Sequence, residues 1–254
     1  MLEVKGLKFD KKNEVGWIIL DNPPVNVINI SMMLRMRDAL GEFKVDPDVK
    51  VVAVRSGIER CFSAGVDVSQ HGPTFDLFGT LAAVHGAIRR VDKPCVFVVG
   101  GYCLGGAFEL LMDGDMAIAS DRASFGQPEI KWGQLAIGAV HQVPSRAGKA
   151  RAMELLLTGD RITAQEALQW GLINKVVPHD SLMEEADTFI KRVTVQSGKL
   201  LSITRRAITL AYEVGPDIGK KAADEAWDAV LKTEDYREGI RAFREKRAAQ
   251  WKNR

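Results

Sequence analysis

The chain has 254 residues, of which 46% are hydrophobic and 27% charged. This composition is typical of a globular protein with a sizeable core and excludes an intrinsically disordered chain. Lys and Arg number 35 against 33 Asp and Glu, so the formal net charge is only +2. Because the chain has no strong positive field, we expect no nucleic-acid partner, and an anionic ligand would need a local cluster of cations.

The cysteines and the amino-terminal sequence indicate the compartment. Cys61, Cys95 and Cys103 are odd in number and lack C-x-x-C spacing, so we expect neither a disulfide framework nor a bound metal. A signal-peptide pattern is absent, and no run reaches the roughly 18 apolar residues of a membrane span. The sequence therefore predicts a cytoplasmic protein without membrane contact.

Four short runs rich in β-branched residues predict strands in the first half of the chain. They are Val15–Leu20, Val49–Val54, Cys95–Val99 and Met116–Ala119. Apolar residues at three- and four-residue spacings predict helices at Ser31–Phe43 and Thr80–Arg90. This alternation indicates crossover units on a largely parallel sheet, with ligands bound by loops at the strand ends.

After about Gln127 the strand signal fades and helical patterns follow one another. The predicted helices are Ala147–Leu157, Ala164–Trp170, Ser181–Val195, Lys199–Tyr212 and Ile218–Lys232. No linker, low-complexity tract or internal repeat is evident, so a helical part packed on an α/β part is expected. The last segment, Tyr236–Trp251, carries five Lys and Arg side chains, and composition alone favours a solvated helix face.

Two turns of small residues each follow a predicted strand. Cys61–Val68 reads CFSAGVDV, and Gly100–Leu110 reads GGYCLGGAFEL and opens a helix. Small side chains let backbone N–H groups approach a ligand, and the start of a helix has unpaired N–H donors. One donor from each turn could form an oxyanion hole. Either turn alone is weak evidence, and the second matches neither the dinucleotide nor the P-loop motif.

Two glutamates stand near these turns. Glu109 lies in the apolar segment AFELLM, where burying an unpaired carboxylate is costly, so it has either an exposed position or a function. Glu129 follows Gln127 and Pro128, which indicate a turn, and a surface salt bridge is its ordinary explanation.

Five segments in a fixed order carry a resemblance to a known family. They read CFSAGVD, KPCVFVVGGYCLGGAFELLMDGDMAIAS, ASFGQPEIKWG, KARAMELLLTGDRITAQEALQWGLINKVV and TEDYREGIRAFREKR. From Asn22 to Arg247 the chain resembles the enoyl-CoA hydratase/isomerase, or crotonase, family. The resemblance implies an α/β fold, a crotonase-like spiral of ββα units at 1–195, and a helical C-terminal trimerisation region at 196–254. It also implies a homotrimer or hexamer.

The resemblance further implies an acyl-CoA hydratase that uses no cofactor, since coenzyme A is part of its substrate. Glu109 and Glu129 would hold a water molecule and transfer protons during its addition to a conjugated double bond. The backbone N–H groups of Val66 and Gly106 would form the oxyanion hole. The implied CoA contacts are Arg60, Ala64, Asp67 and Val68 and, from a neighbouring subunit, Phe243 and Lys246.

Two departures from the family pattern bear on the acyl group. The loop Gln134–Gln142 replaces a glycine-rich loop and brings in Leu135, Ile137, Val140 and His141, which predicts a pocket for a compact or cyclic acyl group. SAGVDV followed by His71 is similar to cyclohexa-1,5-diene-1-carbonyl-CoA hydratases, although His71 alone reads as an ordinary loop residue. An isomerase or other lyase, and a non-enzymatic acyl-CoA or RNA-binding relative, remain as alternatives.

Overall fold

The computed structural model describes residues 4–70, 76–214 and 216–254. The strands are β1 (Leu7–Lys12), β2 (Val15–Leu20), β3 (Val51–Ser56), β4 (Cys61–Ser63), β5 (Cys95–Val99), β6 (Tyr102–Leu104), β7 (Met116–Ser120), β8 (Ser124–Gly126), β9 (Arg161–Thr163) and β10 (Lys175–Val177). The helices are α1 (Ile30–Val45), α2 (Leu77–Arg89), α3 (Gly106–Asp113), α4 (Ala139–Ala147), α5 (Lys149–Thr158), α6 (Ala164–Gln169), α7 (Leu182–Thr194), α8 (Gly198–Val214), α9 (Pro216–Leu231) and α10 (Glu234–Glu245).

The strands form two sheets. The larger has the order β1-β2-β3-β5-β7-β10 and is parallel except for β1, and the smaller has the order β4-β6-β8-β9 and is parallel except for β9. The successive units β3-β4-α2 and β5-β6-α3 each add one strand to each sheet and then a helix. This arrangement confirms the α/β class and the expected crossover units on a largely parallel sheet.

Both faces of the large sheet are covered. On β2, Ile18 and Leu20 belong to the main core, whereas Trp17 and Ile19 pack with residues of α7 such as Ile190. Successive side chains point to opposite faces of a strand, so a sheet buried on both faces requires continuously apolar strands. The continuously apolar sequence of β2 therefore predicts a strand, and the predicted bounds Val15–Leu20 are confirmed at both ends.

Several predicted elements need correction. The strand expected at Val49–Val54 begins two residues later, and six strands were not predicted: β1, β4, β6, β8, β9 and β10. β1 is a largely exposed edge strand with the polar sequence LKFDKK, and the other five have only three residues each. The expected helix Ala147–Leu157 spans the end of α4 and most of α5. These two helices are separated by Gly148, whose φ is 81°.

The C-terminal helical region packs on the α/β part through Arg205 of α8. Its Nε donates to Asp115 Oδ2 at 2.6 Å, and its Nη1 and Nη2 donate at 2.9 Å to the carbonyls of Arg89 and Ile88. None of the helices in the described ranges is long and apolar enough to cross a membrane. Cys61, Cys95 and Cys103 are buried and unpaired, and the described residues contain no cluster of ligands suited to a metal ion.

A buried asparagine ties the chain before α1 to the small sheet. The Asn26 side chain donates to the Leu20 carbonyl at 3.2 Å, the Phe62 carbonyl at 3.0 Å and Ser56 Oγ at 2.8 Å. Its backbone carbonyl accepts from Ser63 Oγ at 2.6 Å. Because these groups are withdrawn from water, the side-chain amide holds the turn after β4 in position.

Asn26→Ala should lower the free energy of unfolding by about 1–3 kcal/mol, since it removes the side-chain donor to the buried Phe62 carbonyl and the acceptor of the Asn22 N–H. Chemical denaturation measures this change. Gln165→Ala, at an exposed position of α6, is the control and should stay within about 0.5 kcal/mol of the parent. Equal effects of the two substitutions would contradict the anchoring role of Asn26.

Candidate active site

A cavity of about 720 Å³ opens where strands of the small sheet end. Its walls come from the turns after β4 and β6, the starts of α2 and α3, the 3-10 helix Pro128–Trp132 and the loop that follows it. Val66, Gly106, Glu109 and Glu129, which were selected from the sequence, all line it. Residues from three separate segments of the chain therefore meet at one site.

The turn after β4 presents the Val66 N–H. Its neighbours have partners: the Gly65 N–H donates to Ser63 Oγ at 3.1 Å, and the Asp67 N–H donates to the Ile28 carbonyl at 2.9 Å. Across the residues that the structure describes, the Val66 N–H has no acceptor. Gly65 has φ 112°, a value that favours glycine, and a Cβ there would lie 3.1 Å from the Leu104 carbonyl oxygen.

The turn after β6 brings α3 against the first turn. A Cβ on Gly106 would lie 2.7 Å from Val66 Cγ1, and one on Gly105 would lie 2.8 Å from Glu129 Oε1. Two glycines are therefore needed for this approach. Gly106 is the first residue of α3, so its N–H has no partner within the helix.

Glu109 is buried, with 4% of its surface exposed, which excludes an exposed position and leaves the other alternative, a function. Its Oε1 accepts the N–H groups of Gly138 at 2.9 Å and Ala139 at 3.2 Å, where α4 begins. Charge-assisted hydrogen bonds and two helix N-termini, those of α3 and α4, offset the cost of burying the carboxylate. A Cβ at Gly138 would lie 3.0 Å from Glu109 Oε2, so a larger residue there would press on the carboxylate.

Glu129 has a different environment. It lies on the 3-10 helix Pro128–Trp132, which confirms the predicted turn. Burial, together with the negative charge of Glu109, raises the pKa of Glu129 from 4.5 to about 7, although a backbone hydrogen bond opposes the shift. The buried Gln127 amide, oriented to donate, lies 2.9 Å and 3.1 Å from the two carboxylate oxygens. Burial thus makes Glu129 bind a proton more readily than an exposed glutamate does, while the Gln127 N–H donors act in the opposite direction.

A second layer of polar residues, missed by the sequence analysis, lies behind Glu109. His85 Nε2 is 3.7 Å from Glu109 Oε2, and its Nδ1 contacts Asp113 Oδ2. Burial lowers the pKa of His85, but the hydrogen bond with Asp113 and the nearby Glu109 raise it to about 9. The four-residue spacing of Glu109 and Asp113 is the signal that could have revealed that these two carboxylates lie on one face of α3.

The expected CoA contacts divide into two groups. Ala64 and Val68 line the cavity, whereas Arg60 and Asp67 do not. Arg60 Nη2 donates to the Pro24 carbonyl at 3.1 Å, and the Asp67 carboxylate accepts from the N–H of Ser69 at 3.1 Å. Both side chains are thus engaged in local loop contacts outside the cavity.

Two cations that the sequence analysis did not select line the cavity instead. Lys131 Nζ lies 2.7 Å from Asp160 Oδ1, and the Arg161 guanidinium lies 5.3 Å from the centre of the Tyr102 ring. They come from the 3-10 helix after β8 and from the start of β9, and only the pairing of these elements in the small sheet brings them together.

The remaining candidates lie elsewhere. Phe243 on α10 is 84% exposed and Lys246 is the C-cap of that helix, and neither lines this chain's cavity. Their contact with CoA was expected from a neighbouring subunit and stays a prediction. His71 lies outside the described residues.

The loop Gln134–Gln142 contributes less of its bulk to the cavity than expected. Leu135 and Ile137 line it, but Val140 lines a smaller apolar pocket of about 210 Å³ beside it. His141 faces a third cavity, bordered by α8, so its expected place in the acyl pocket is wrong. The reason is that α4 begins at Ala139 and turns the later residues away.

Comparison with known proteins agrees with this geometry. The profile of the enoyl-CoA hydratase/isomerase family matches residues 10–254. The chain is 35% identical over 254 residues to a probable enoyl-CoA hydratase of Mycobacterium bovis, covering 96% of this chain and 97% of that protein. It is 34% identical over 259 residues to carnitinyl-CoA dehydratase of Proteus mirabilis, covering 98% and 99%.

A solved structure supports the same assignment. The crystal structure of enoyl-CoA hydratase from Bacillus anthracis superposes with a TM-score of 0.93 at 25% identity, covering 98% of this chain and 100% of that one. The crotonase-like fold expected from the sequence is thereby confirmed. Taken with the two glycine-bearing turns and the paired glutamates, the family match over nearly the whole chain shows that this protein belongs to the enoyl-CoA hydratase/isomerase family.

Proposed function

We propose that this protein is an enoyl-CoA hydratase that adds water across the double bond of an α,β-unsaturated acyl-CoA. The observation that carries the proposal is the convergence of Glu109 and Glu129 on one cavity beside the N–H groups of Val66 and Gly106. The names of the two relatives, a hydratase and a dehydratase, support a reaction that makes or breaks a carbon–oxygen bond.

The two N–H groups would bind the thioester oxygen and stabilise the negative charge that develops on it. Water attacks the β-carbon and gives a proton to Glu109, while the electron pair of the double bond moves to form the enolate. Glu129 then donates its proton to the α-carbon. This assignment follows from the environments: Glu109 is stabilised as a carboxylate by two N–H donors, whereas the pKa of Glu129 is raised to about 7, chiefly by burial.

For the CoA part of the substrate, Ala64 and Val68 supply backbone and apolar surface at the cavity wall. Lys131 and Arg161 replace Arg60 as the cations proposed to meet its phosphate groups, because they line the cavity. The apolar residues of the 134–137 loop favour a compact or cyclic acyl group over a long linear one.

We propose a homotrimer or hexamer as the working form, with Phe243 and Lys246 of one subunit reaching the CoA of another. Large apolar side chains exposed on the C-terminal helices support association: Ile208, Tyr212, Trp227, Ile240 and Phe243. Such a concentration of exposed apolar surface is typical of an interface.

Turnover tests the function and the two carboxylates together. Hydration of crotonyl-CoA, followed by loss of the conjugated thioester absorbance, should be readily measured for the parent. Glu109→Gln and Glu129→Gln should each lower kcat about 10²–10⁴-fold with KM little changed, since they keep shape and remove proton transfer. A parent that only moves the double bond of a 3-enoyl-CoA would instead be an isomerase, and a variant with parental kcat would exclude its glutamate from catalysis.

The oxyanion hole is tested at the backbone of Val66. Val66→Ala should retain nearly parental kcat because the N–H remains, whereas Val66→Pro lacks the donor and should lower kcat about 10²–10³-fold. Circular dichroism and oligomer size are the folding controls. An active Val66→Pro enzyme would remove Val66 from the site.

The acid role of Glu129 also predicts a pH-dependent cost in stability. Since its folded pKa of about 7 exceeds the ordinary 4.5, its contribution to stability is complete below about pH 4.5 and is lost as the pH rises through about 7. Glu129→Gln has no such loss, so its Tm relative to the parent should be higher at about pH 8 than at about pH 5. An identical Tm difference at both values would argue against a proton held by Glu129.

A further inference from the structure

We propose that His85 is a positioning residue whose positive charge, fixed by Asp113, keeps Glu109 ionised and oriented toward the cavity. The inference deepens the proposed hydratase function and rests on it, because it concerns the state of the proposed base. His85 lies on α2, is 7% exposed, and does not line the cavity. It therefore acts on the reaction through Glu109 and does not touch the substrate.

The contacts at the two ring nitrogens determine the charge. Nδ1 contacts the Asp113 carboxylate, so it carries a proton. Nε2 faces Glu109 Oε2 at 3.7 Å and has no hydrogen-bond partner in the described part of the chain. In neutral His85 the bare lone pair of Nε2 would face a buried carboxylate oxygen. In the protonated ring an N–H faces that oxygen, so the imidazolium is the form that fits the geometry.

Asp113 is itself held in place from two other helices. Its Oδ1 accepts from Arg89 Nη1 at 3.0 Å on α2 and from Gln142 Nε2 at 2.9 Å on α4. Burial acts to raise the pKa of Asp113, but His85 and Arg89 lower it, so the group is a carboxylate. The next cation, Arg146 of α4, donates at 2.9 Å to the Gly114 carbonyl. Two carboxylates thus face a buried imidazolium and a half-exposed guanidinium.

These contacts occupy two sides of the Glu109 carboxylate and leave its remaining side facing the cavity. Its Oε1 is held by the Gly138 and Ala139 N–H groups, and its Oε2 lies opposite the imidazolium. Glu129, which also lines the cavity, would otherwise compete with Glu109 for its negative charge, since two neighbouring carboxylates resist joint ionisation. A cation beside Glu109 favours ionisation of Glu109 over that of Glu129, in the same direction as the two N–H donors.

The first test reads the charge of His85 directly. The imidazole signals of the four histidines are followed by NMR against pH in the parent protein, and the His85 signal is identified by its loss in His85→Gln. We expect this signal to titrate well above pH 7, near the raised pKa of about 9. Titration below pH 7 would overturn the proposal. This reading does not depend on turnover.

The second test is the pH dependence of kcat/KM for crotonyl-CoA. His85→Gln and Asp113→Asn should each move the acid limb to higher pH by about one unit, lowering kcat/KM about tenfold on that side, with KM unchanged. His179→Gln is the matched control, because His179 contacts the Gly100 carbonyl and Ser120 and does not line the cavity. It should retain the parental profile.

The outcomes separate the two proposals. A loss of activity in His85→Gln that is equal at every pH indicates a purely structural role and overturns the inference. A parent without hydratase turnover contradicts the proposed function. In that case the same pH profile is measured for isomerisation of a 3-enoyl-CoA, where an unshifted acid limb in His85→Gln would again overturn the role of His85.

Discussion

The burial of the Glu109 carboxylate is the constraint on which the site depends. A charged group inside the apolar α3 is tolerated only where hydrogen bonds and opposite charge replace the lost water. Here the start of α4 supplies two N–H donors, α2 supplies His85, and Gly138 leaves the space that the carboxylate occupies. The three helices α2, α3 and α4 are thereby held together around the Glu109 side chain. The remaining side of its carboxylate faces the cavity.

The contrast between the two glutamates follows from their surroundings. Glu109 receives direct hydrogen bonds from the backbone, while Glu129 lies on a short 3-10 helix, where burial and the neighbouring charge raise its pKa to about 7. Carboxyl groups whose environments separate their proton affinities can act as an acid and base pair at neutral pH. The same burial means that ionisation of Glu129 lowers the free energy of unfolding. The site therefore makes the folded state less stable than it would be with a neutral residue there.

The small sheet explains why the site lies where it does. Its strands β4, β6 and β8 run parallel. The turns after β4 and β6 and the 3-10 helix after β8 therefore all lie at the carboxyl-terminal ends of these strands. Glycines at 65, 105 and 106 then let backbone and carboxylate approach within contact distance. A side chain at position 65 or 106 would push the two turns apart, and one at position 105 would meet the Glu129 carboxylate.

The sequence by itself predicted four buried strands of the large sheet, most of the helices and four residues that line the cavity, Val66, Gly106, Glu109 and Glu129. Periodicity, small-residue turns and ordered motifs made this possible, because they are local signals. The polar edge strand β1 and the five three-residue strands, β4, β6, β8, β9 and β10, were not predicted, since polar or very short strands carry no period. Only the tertiary structure decided that Lys131 and Arg161, and not Arg60, line the cavity. Only it placed His85 behind Glu109, because α2 and α3 meet through packing and no motif in either helix encodes that contact.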